Sequence, residues 1–279
     1  MRVHHLNCGS LCPHGARLIN GEGGLLSRGL VVCHCLLIET NDGLVLVDTG
    51  FGMEDAANPR QLGSVFRSLM GPKPRVETTA LKQIEGLGFA AEEVRHIVTT
   101  HLDVDHSGGL PDFPEAEVHV LAEELEAALH PALDDRLRYI GGAHWRHEPR
   151  WVTHGAGGDE WFGFESVRIL PGVDAEILLV PMIGHTRGHT AVAIRSAEGW
   201  LLHCGDSYFN HGELSTPPSC PPMIRLFQNV TASDNKARKR NQERLRELVA
   251  KHGREVDLFS SHDPHELDRA QAASGAVAA

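Results

Sequence analysis

The stretch "HLDVDH", His101 to His106, places four side chains able to ligate a metal, His101, Asp103, Asp105 and His106, within six residues. It follows the apolar run "HIVTT", so a strand would carry His101 to its carboxyl end, and Gly108 and Gly109 would turn the chain sharply behind it. One histidine beside one carboxylate is usually a hydrogen-bonded pair. Two imidazoles and two carboxylates displayed from one tight turn are instead the donor set of a divalent-metal site.

Three further elements carry ligand-type residues at the ends of apolar runs: "GHTRGHT" at 184–190, "HCGD" at 203–206 and "SSHD" at 260–263. Two divalent cations a few ångströms apart can share a hydroxide whose pKa is brought near neutrality and can polarise a carbonyl or phosphoryl oxygen. That is hydrolytic chemistry without an activated Ser or Cys. The chain has no G-x-S-x-G elbow, P-loop or Rossmann glycine motif to offer a competing one.

The elements that must position these residues are legible as apolar runs. "VVCHCLLIETNDGLVLVDTG" and "TAVAIRSAEGWLLHCGD" each read as a β-hairpin, turning at Gly43 and Gly199, which suggests two related β-rich halves with a site between two sheets. Further strands are expected at "HIVTT", "EVHVL", "EILLVP" and "VDLFSS". Helices are expected at "TTALKQIEGLG", "LAEELEAALH" and "DNKARKRNQERLRELVAKHG", where apolar positions recur at helical spacing. The basic face of the last reads as a solvated surface. Alternating strands and helices imply an α/β architecture with helices outside the sheets. The segments 51–76, 137–160 and 207–235 are expected to be loops covering the site, with aromatic and basic residues such as Phe66, Arg67, Trp145, Trp151 and Phe227 lining a pocket or anchoring them. The tail "AQAASGAVAA", which takes in residues 270–279, is expected to fray.

At 279 residues and 41% hydrophobic, the chain can bury a substantial core, and it is read as a single catalytic domain over 1–279. A formal charge of −11 argues against a phosphate-backbone binder, because such binding rests on Lys and Arg. No nucleic-acid partner is expected. "LVVCHCLLI" is too short to span a bilayer and the first residues have no signal-peptide core, so no membrane partner and a cytoplasmic location are expected. The partner implied is a small-molecule substrate; the sequence sets no oligomeric state. Six cysteines (Cys8, Cys12, Cys33, Cys35, Cys204, Cys220) make no disulfide framework, and Cys33 and Cys35 read as small core residues on one face of a strand.

With the motifs in this order, from "GLVLVDTG" to "FSSHD", the chain resembles the metallo-β-lactamase superfamily over nearly its whole length. The resemblance implies a four-layer αββα sandwich with two divalent metal ions, expected to be zinc, in a cleft at one edge of the sheets. Carried over residue by residue, it implies that His101, Asp103 and His189 hold the first metal, that Asp105, His106 and His262 hold the second, and that Asp206 bridges them. Of the two histidines in "GHTRGHT" the family pattern selects His189 and leaves His185 to the loop. Asp48 in "VDTG" resembles the family's supporting aspartate, which buttresses the site.

The family pattern is H-x-H-x-D-H, and Asp103 stands at its second histidine. With three carboxylates (Asp103, Asp105, Asp206) and a hydroxide, the two-metal site becomes formally neutral instead of positive, and the added oxygen donor shifts preference toward Mn or Fe relative to a histidine-rich site. "LLIETNDGLVLVDTG", "AEELEAALH" and "DSYF" resemble the N-acyl-homoserine lactone lactonase branch most. That implies lactone opening, with Asp105 assisting proton transfer and Tyr208, two residues after Asp206 where the branch has three, placed to hydrogen-bond the substrate carbonyl. The same ligands also serve thioesterases and β-lactam, ester or phosphoester hydrolases. Further alternatives are a diiron redox protein, in whose relatives a glutamate occupies the Asp103 position, and a non-catalytic metal-binding sensor.

Overall fold

The computed structural model describes residues 1–277 apart from 133, 134, 136 and 137. The strands β1 (Val3–Leu11), β2 (Val31–Thr40), β3 (Gly43–Val47), β4 (Val94–Val98), β5 (Glu117–Leu121) and β6 (Arg150–His154) form one sheet in that order. The strands β7 (Asp159–Trp161), β8 (Phe164–Ile169), β9 (Ile177–Pro181), β10 (Thr190–Arg195), β11 (Trp200–His203) and β12 (Val256–Phe259) form the other, in the order β12-β11-β10-β9-β8-β7.

The central strands are apolar at successive positions because both faces of each sheet are covered. On the inner face of the first sheet, Leu36, Ile38, Val45, Val47 and Val98 meet Ile177, Leu179, Val192, Ile194 and Phe259 of the second. The alternate residues Leu37, Leu46, Ile97, Val118 and Val120 face outward, sharing a core with Ala80, Ile84 and Ala127 of the helices Ala80–Gly86 and Ala122–Leu129. Across the other sheet, Leu178, Val180 and Leu202 share a core with Leu245 and Leu248 of the helix Asn235–His252. These three apolar interfaces make four layers, helix–sheet–sheet–helix, as expected. Burying each such side chain contributes about 1.5–3 kcal/mol relative to exposure.

The likeness of the halves extends past the hairpins. β2 and β3 pair antiparallel and β3 then pairs parallel with β4; β10 and β11 pair antiparallel and β11 then pairs parallel with β12. The exits of β3, β4, β11 and β12 carry Asp48, His101, Asp206 and His262 respectively. Hydrogen bonds bind the two halves at one edge: Thr190 N donates to Thr100 O (2.9 Å) and His34 N to Ser261 O (2.9 Å).

The three segments expected to be loops carry structure of their own. Helices Met53–Ala57 and Ser64–Met70 lie in 51–76, β6 and a 3-10 turn at Ile140–Trp145 lie in 137–160, and the helix Pro222–Thr231 lies in 207–235. Residue 137 is outside the described residues. In the last segment, Met223, Ile224, Phe227 and Val230 stand at helical spacing, and the Pro- and Ser-rich stretch before them disguises it; Pro221 and Pro222 suit a helix start, where an N–H is not needed. The tail expected to fray carries the helix Pro264–Val277, consistent with its alanines; residues 278 and 279 are outside the described ones. The six cysteines are free thiols, Cys33 and Cys35 both buried. No helix among the described residues is long and apolar enough to cross a membrane.

Candidate metal centre

β4 ends at Val98 and the chain turns inward, so that Thr100, His101 and the short helix Val104–Ser107 sit beneath the loop after β3. Asp48, at a left-handed φ of 54°, organises this corner. Its carboxylate accepts from Thr100 N (2.7 Å), Thr100 Oγ1 (2.7 Å) and His106 Nδ1 (2.9 Å). Having given its proton to Asp48, the Thr100 hydroxyl is free to accept from His101 Nδ1 at 3.0 Å. On the opposite side, His262 Nδ1 donates to Val32 O at 2.7 Å. With protons fixed on the three Nδ1 atoms, His101, His106 and His262 all present bare Nε2 atoms to one point.

Around that point His106 Nε2 and His262 Nε2 are 3.3 Å apart, and Asp206 Oδ1 is 3.2 and 3.1 Å from them. Asp105 Oδ2 is 3.7 Å from His262 Nε2. His185 Nε2 lies 3.2 Å from Asp206 Oδ2 and 3.1 Å from Asp103 Oδ2, and His101 Nε2 lies 3.4 Å from Asp103 Oδ2 and 3.8 Å from Asp206 Oδ2. Two sets of donor atoms therefore cluster within 4.8 Å, one from His101, His185 and Asp206, the other from Asp105, His106 and His262. Buried as they are, His101 Nε2, Asp103 Oδ1 and Asp206 Oδ1 have no hydrogen-bond partner. Converging donor atoms, several of them without a hydrogen-bond partner, fit divalent cations, and the mixed nitrogen and carboxylate donors suit zinc-type ions.

The titration behaviour points the same way. Burial pushes Asp206 up, but His262 and His106 outweigh it and hold the carboxyl well below its ordinary range. Burial likewise pushes His106 down, and Asp206 and Asp48 reverse this and lift it well above the usual imidazole value; against the same burial, Asp206 and then Asp105 raise His262. The carboxylates demand positive charge, which protons on these histidines or a bound cation can supply.

Two expected roles change. His189 is not in either cluster: its Nδ1 faces Met182 O at 3.2 Å and its Nε2 accepts from Asp206 N–H at 2.8 Å. Both ring nitrogens are occupied by main chain, and burial holds the ring well below its ordinary pKa. His189 shapes the Asp206 turn, where Gly205 has φ +52° and a Cβ would come 2.5 Å from His189 Nε2. His185 stands at the cluster in its place, because it lies in the free turn after β9 whereas His189 abuts β10, whose residues point between layers. Tyr208 is also turned away. It is fully buried in the core of the second sheet and donates to Glu266 (3.0 Å), while the next residue, Phe209, stacks on His262 with ring centres 4.7 Å apart.

Two residues that sequence reasoning missed hold the arrangement. Arg138 Nη1 donates to Asp103 Oδ2, Nη2 donates to Thr231 O, and Nη1 lies 3.0 Å from His185 Nε2. Burial pushes Asp103 up, but Arg138 followed by His101 draws it well below the carboxylate range. Glu124, fully buried in the helix Ala122–Leu129, accepts from Leu102 N (2.9 Å) and Tyr139 OH (3.1 Å) on Oε1, and from Thr186 Oγ1 (2.6 Å) and Gly188 N (3.0 Å) on Oε2. It thereby ties the "HLDVDH" turn to the "GHTRGHT" turn, and a Cβ on Gly188 would come 2.2 Å from Glu124 N. A glutamate that interrupts an apolar helix face is the one signal for it in the sequence.

A cavity of about 840 Å³ is walled by the helices Ser64–Met70 and Pro222–Thr231 and by Phe209, the residue that stacks on His262. Its lining is largely apolar, including Ile19, Leu62, Phe66, Ile224 and Phe227. Of the aromatic residues singled out in the sequence, Phe66 and Phe227 line this cavity, and Trp145 and Trp151 pack against the helix-side core of the first sheet.

The family model of the metallo-beta-lactamase superfamily matches residues 28–252. The chain belongs to the metallo-beta-lactamase superfamily. By family it is a metallo-hydrolase. A probable metallo-hydrolase of Mycobacterium tuberculosis is 43% identical over 265 residues, 95% of this chain and 81% of that one. An N-acyl homoserine lactonase of Rhizobium johnstonii is 26% identical over 269 residues, 95% of this chain and 94% of that one. The fold is shared with a solved N-acyl homoserine lactone hydrolase bearing N-hexanoyl-L-homoserine at its metal centre, at TM-score 0.72 and 20% identity over 96% of this chain and 95% of that one. For this superfamily member the order of the motifs and the αββα layers agree with the sequence reading.

Proposed function

We propose that this superfamily member hydrolyses the ester bond of a lactone carrying an apolar chain. His101, Asp103, His185 and Asp206 would hold one divalent ion, and Asp105, His106, His262 and Asp206 a second; zinc fits the imidazoles, and Asp103 leaves room for Mn or Fe. Such ions supply Lewis-acid polarisation of the carbonyl and a nucleophile at neutral pH. The chain's own residues do the rest. Asp48 and Val32 O fix the tautomers of His106 and His262, Arg138 holds Asp103 in place, and Asp105, on the His262 side, would take the proton of the attacking nucleophile and pass it to the leaving alkoxide.

The observation that carries the substrate class is the apolar cavity that shares Phe209 with the donor cluster, the ring being both cavity wall and partner of His262. Its volume falls within the roughly 300–1,000 Å³ of small-molecule sites. An ester with a hydrocarbon arm could lay that arm between the two walling helices and its polar end at the donors. Two kinds of relative support the reading: curated proteins named N-acyl homoserine lactonases, and a solved neighbour with an acyl homoserine product bound. With Tyr208 in the core, recognition at the Phe209 side rests on apolar contact instead of a phenolic hydrogen bond.

Turnover should be measured on acyl homoserine lactones of increasing chain length beside acyl thioesters and nitrophenyl esters, with and without chelator. The expected result is lactone turnover whose kcat/KM rises with chain length, abolished by chelator and in His106→Ala. Thioester or aryl-ester turnover with none on any lactone would overturn the reading in favour of another ester hydrolase of the superfamily.

A further inference from the structure

A second group of metal-type ligands lies away from the candidate centre. His96 on β4, Glu117 and His119 on β5, and His154 on β6 meet across the first sheet. The register places His96 opposite Glu117, Val98 opposite His119 and Leu121 opposite His154, so with a side-chain period of two all four point to one face. That is the face on which Val98 packs toward the second sheet.

His96 Nδ1 is 3.2 Å from His119 Nε2 and 3.6 Å from Glu117 Oε2, and one donor atom from each of the three lies within 4.8 Å of the others. Four ligands about a zinc ion at roughly 2.0–2.1 Å stand about 3.3 Å from one another, so these spacings are those of a tetrahedron's edges. The same nitrogen–nitrogen spacing, 3.3 Å, separates His106 and His262 in the candidate metal centre. His119 Nδ1 meets His154 Nε2 at 3.0 Å. Donation along that bond fixes the His119 tautomer with its Nε2 lone pair toward His96 and Glu117, as a hydrogen bond from the far ring nitrogen does for metal-bound histidines. The Glu117 side chain is 51% exposed, which gives an ion a way in and leaves water able to complete the shell.

We propose that His96, Glu117 and His119 form a further binding site for a divalent transition ion of the zinc class, with His154 positioning His119. Such an ion would clamp β4, whose exit supplies His101, to β5. The site is independent of which bond the enzyme cleaves.

The test is zinc content by elemental analysis after equilibration of the full chain with zinc and removal of free ion, on wild type, His96→Ala, Glu117→Gln and His106→Ala. His96→Ala and Glu117→Gln should each lose about one equivalent relative to wild type while kcat/KM stays unchanged, whereas His106→Ala should retain this ion. Because half-exposed Glu117→Gln is not expected to disturb folding, it guards against a misfolded His96 variant. Cupric ion added to His106→Ala should further show an electron paramagnetic resonance signature of two coordinated nitrogens that His96→Ala abolishes. Equal zinc content in wild type, His96→Ala and Glu117→Gln would overturn the proposal and leave His96, His119 and His154 a chain of hydrogen-bonded imidazoles.

Discussion

Replacing Glu124 by Gln tests whether the two ligand turns are held by this one buried carboxylate. Each oxygen accepts one main-chain N–H and one hydroxyl: Leu102 N and Tyr139 OH on Oε1, Thr186 Oγ1 and Gly188 N on Oε2. Whichever way the amide turns, its NH2 faces one such pair. The hydroxyl can rotate and accept, but the main-chain N–H cannot, and a buried donor left without a partner costs about 1–3 kcal/mol. Taking about 2 kcal/mol, the folding equilibrium should fall by roughly thirtyfold. Urea unfolding at constant m-value would measure this directly. Because the lost bond releases either the "HLDVDH" or the "GHTRGHT" turn, kcat of the metal-loaded protein should fall as well. A Glu124→Gln protein within about 0.5 kcal/mol of wild type, the range of ordinary surface substitutions, and with unchanged kcat would refute the clamp.

Arg138→Met removes the cation beside Asp103 and His185, so the metal-free protein should lose about 3 kcal/mol, as when one partner of a buried ion pair is deleted, and zinc should raise its Tm more than it raises that of wild type. An equal zinc response in thermal melts would count against this role. Tyr208→Phe should cost about 1–3 kcal/mol by leaving the buried Glu266 short of a donor, yet leave KM unchanged; a large KM rise at full stability would return Tyr208 to the substrate. Burial pushes Glu266 from 4.5 up to about 8, so the folded state binds the proton more tightly than the unfolded chain. Its contribution is fully present below pH 4.5, declines as pH rises, and is lost above about 8. Glu266→Gln should therefore gain stability relative to wild type between pH 5 and 8, and parallel melting profiles for the two proteins would contradict it. Phe209→Ala should raise KM for long-chain lactones more than for short ones, read from steady-state kinetics across the chain-length series; a uniform change would separate Phe209 from the cavity's role.

Much of the molecule is legible from local pattern. The hairpins at Gly43 and Gly199, the strand "EVHVL" and the helix "DNKARKRNQERLRELVAKHG" are encoded by apolar period and turn residues, and they appear where that code puts them. The donor types are legible too, because "HLDVDH" can present its ligands from a single turn whatever the rest of the fold does. Helix Pro222–Thr231 was obscured by the prolines and serines before it, although its own apolar spacing is helical.

The choice among near-identical candidates belongs to the tertiary structure. His185 and His189 share one short motif, and Tyr208 and Phe209 are adjacent; in each pair the chain's path, not the residue type, decides which side chain meets the cluster. His189 is spent on Asp206 N–H and Met182 O, and Tyr208 on Glu266, both partners supplied by distant segments. Glu124 shows in the sequence only as an interruption of an apolar helix face, and it becomes a clamp only when two loops from opposite sheets close over it. Spacing along a chain specifies which donors a turn can offer. Which way each one points is set by the hydrogen bonds that packing makes available, and those exist only once both sheets are in place.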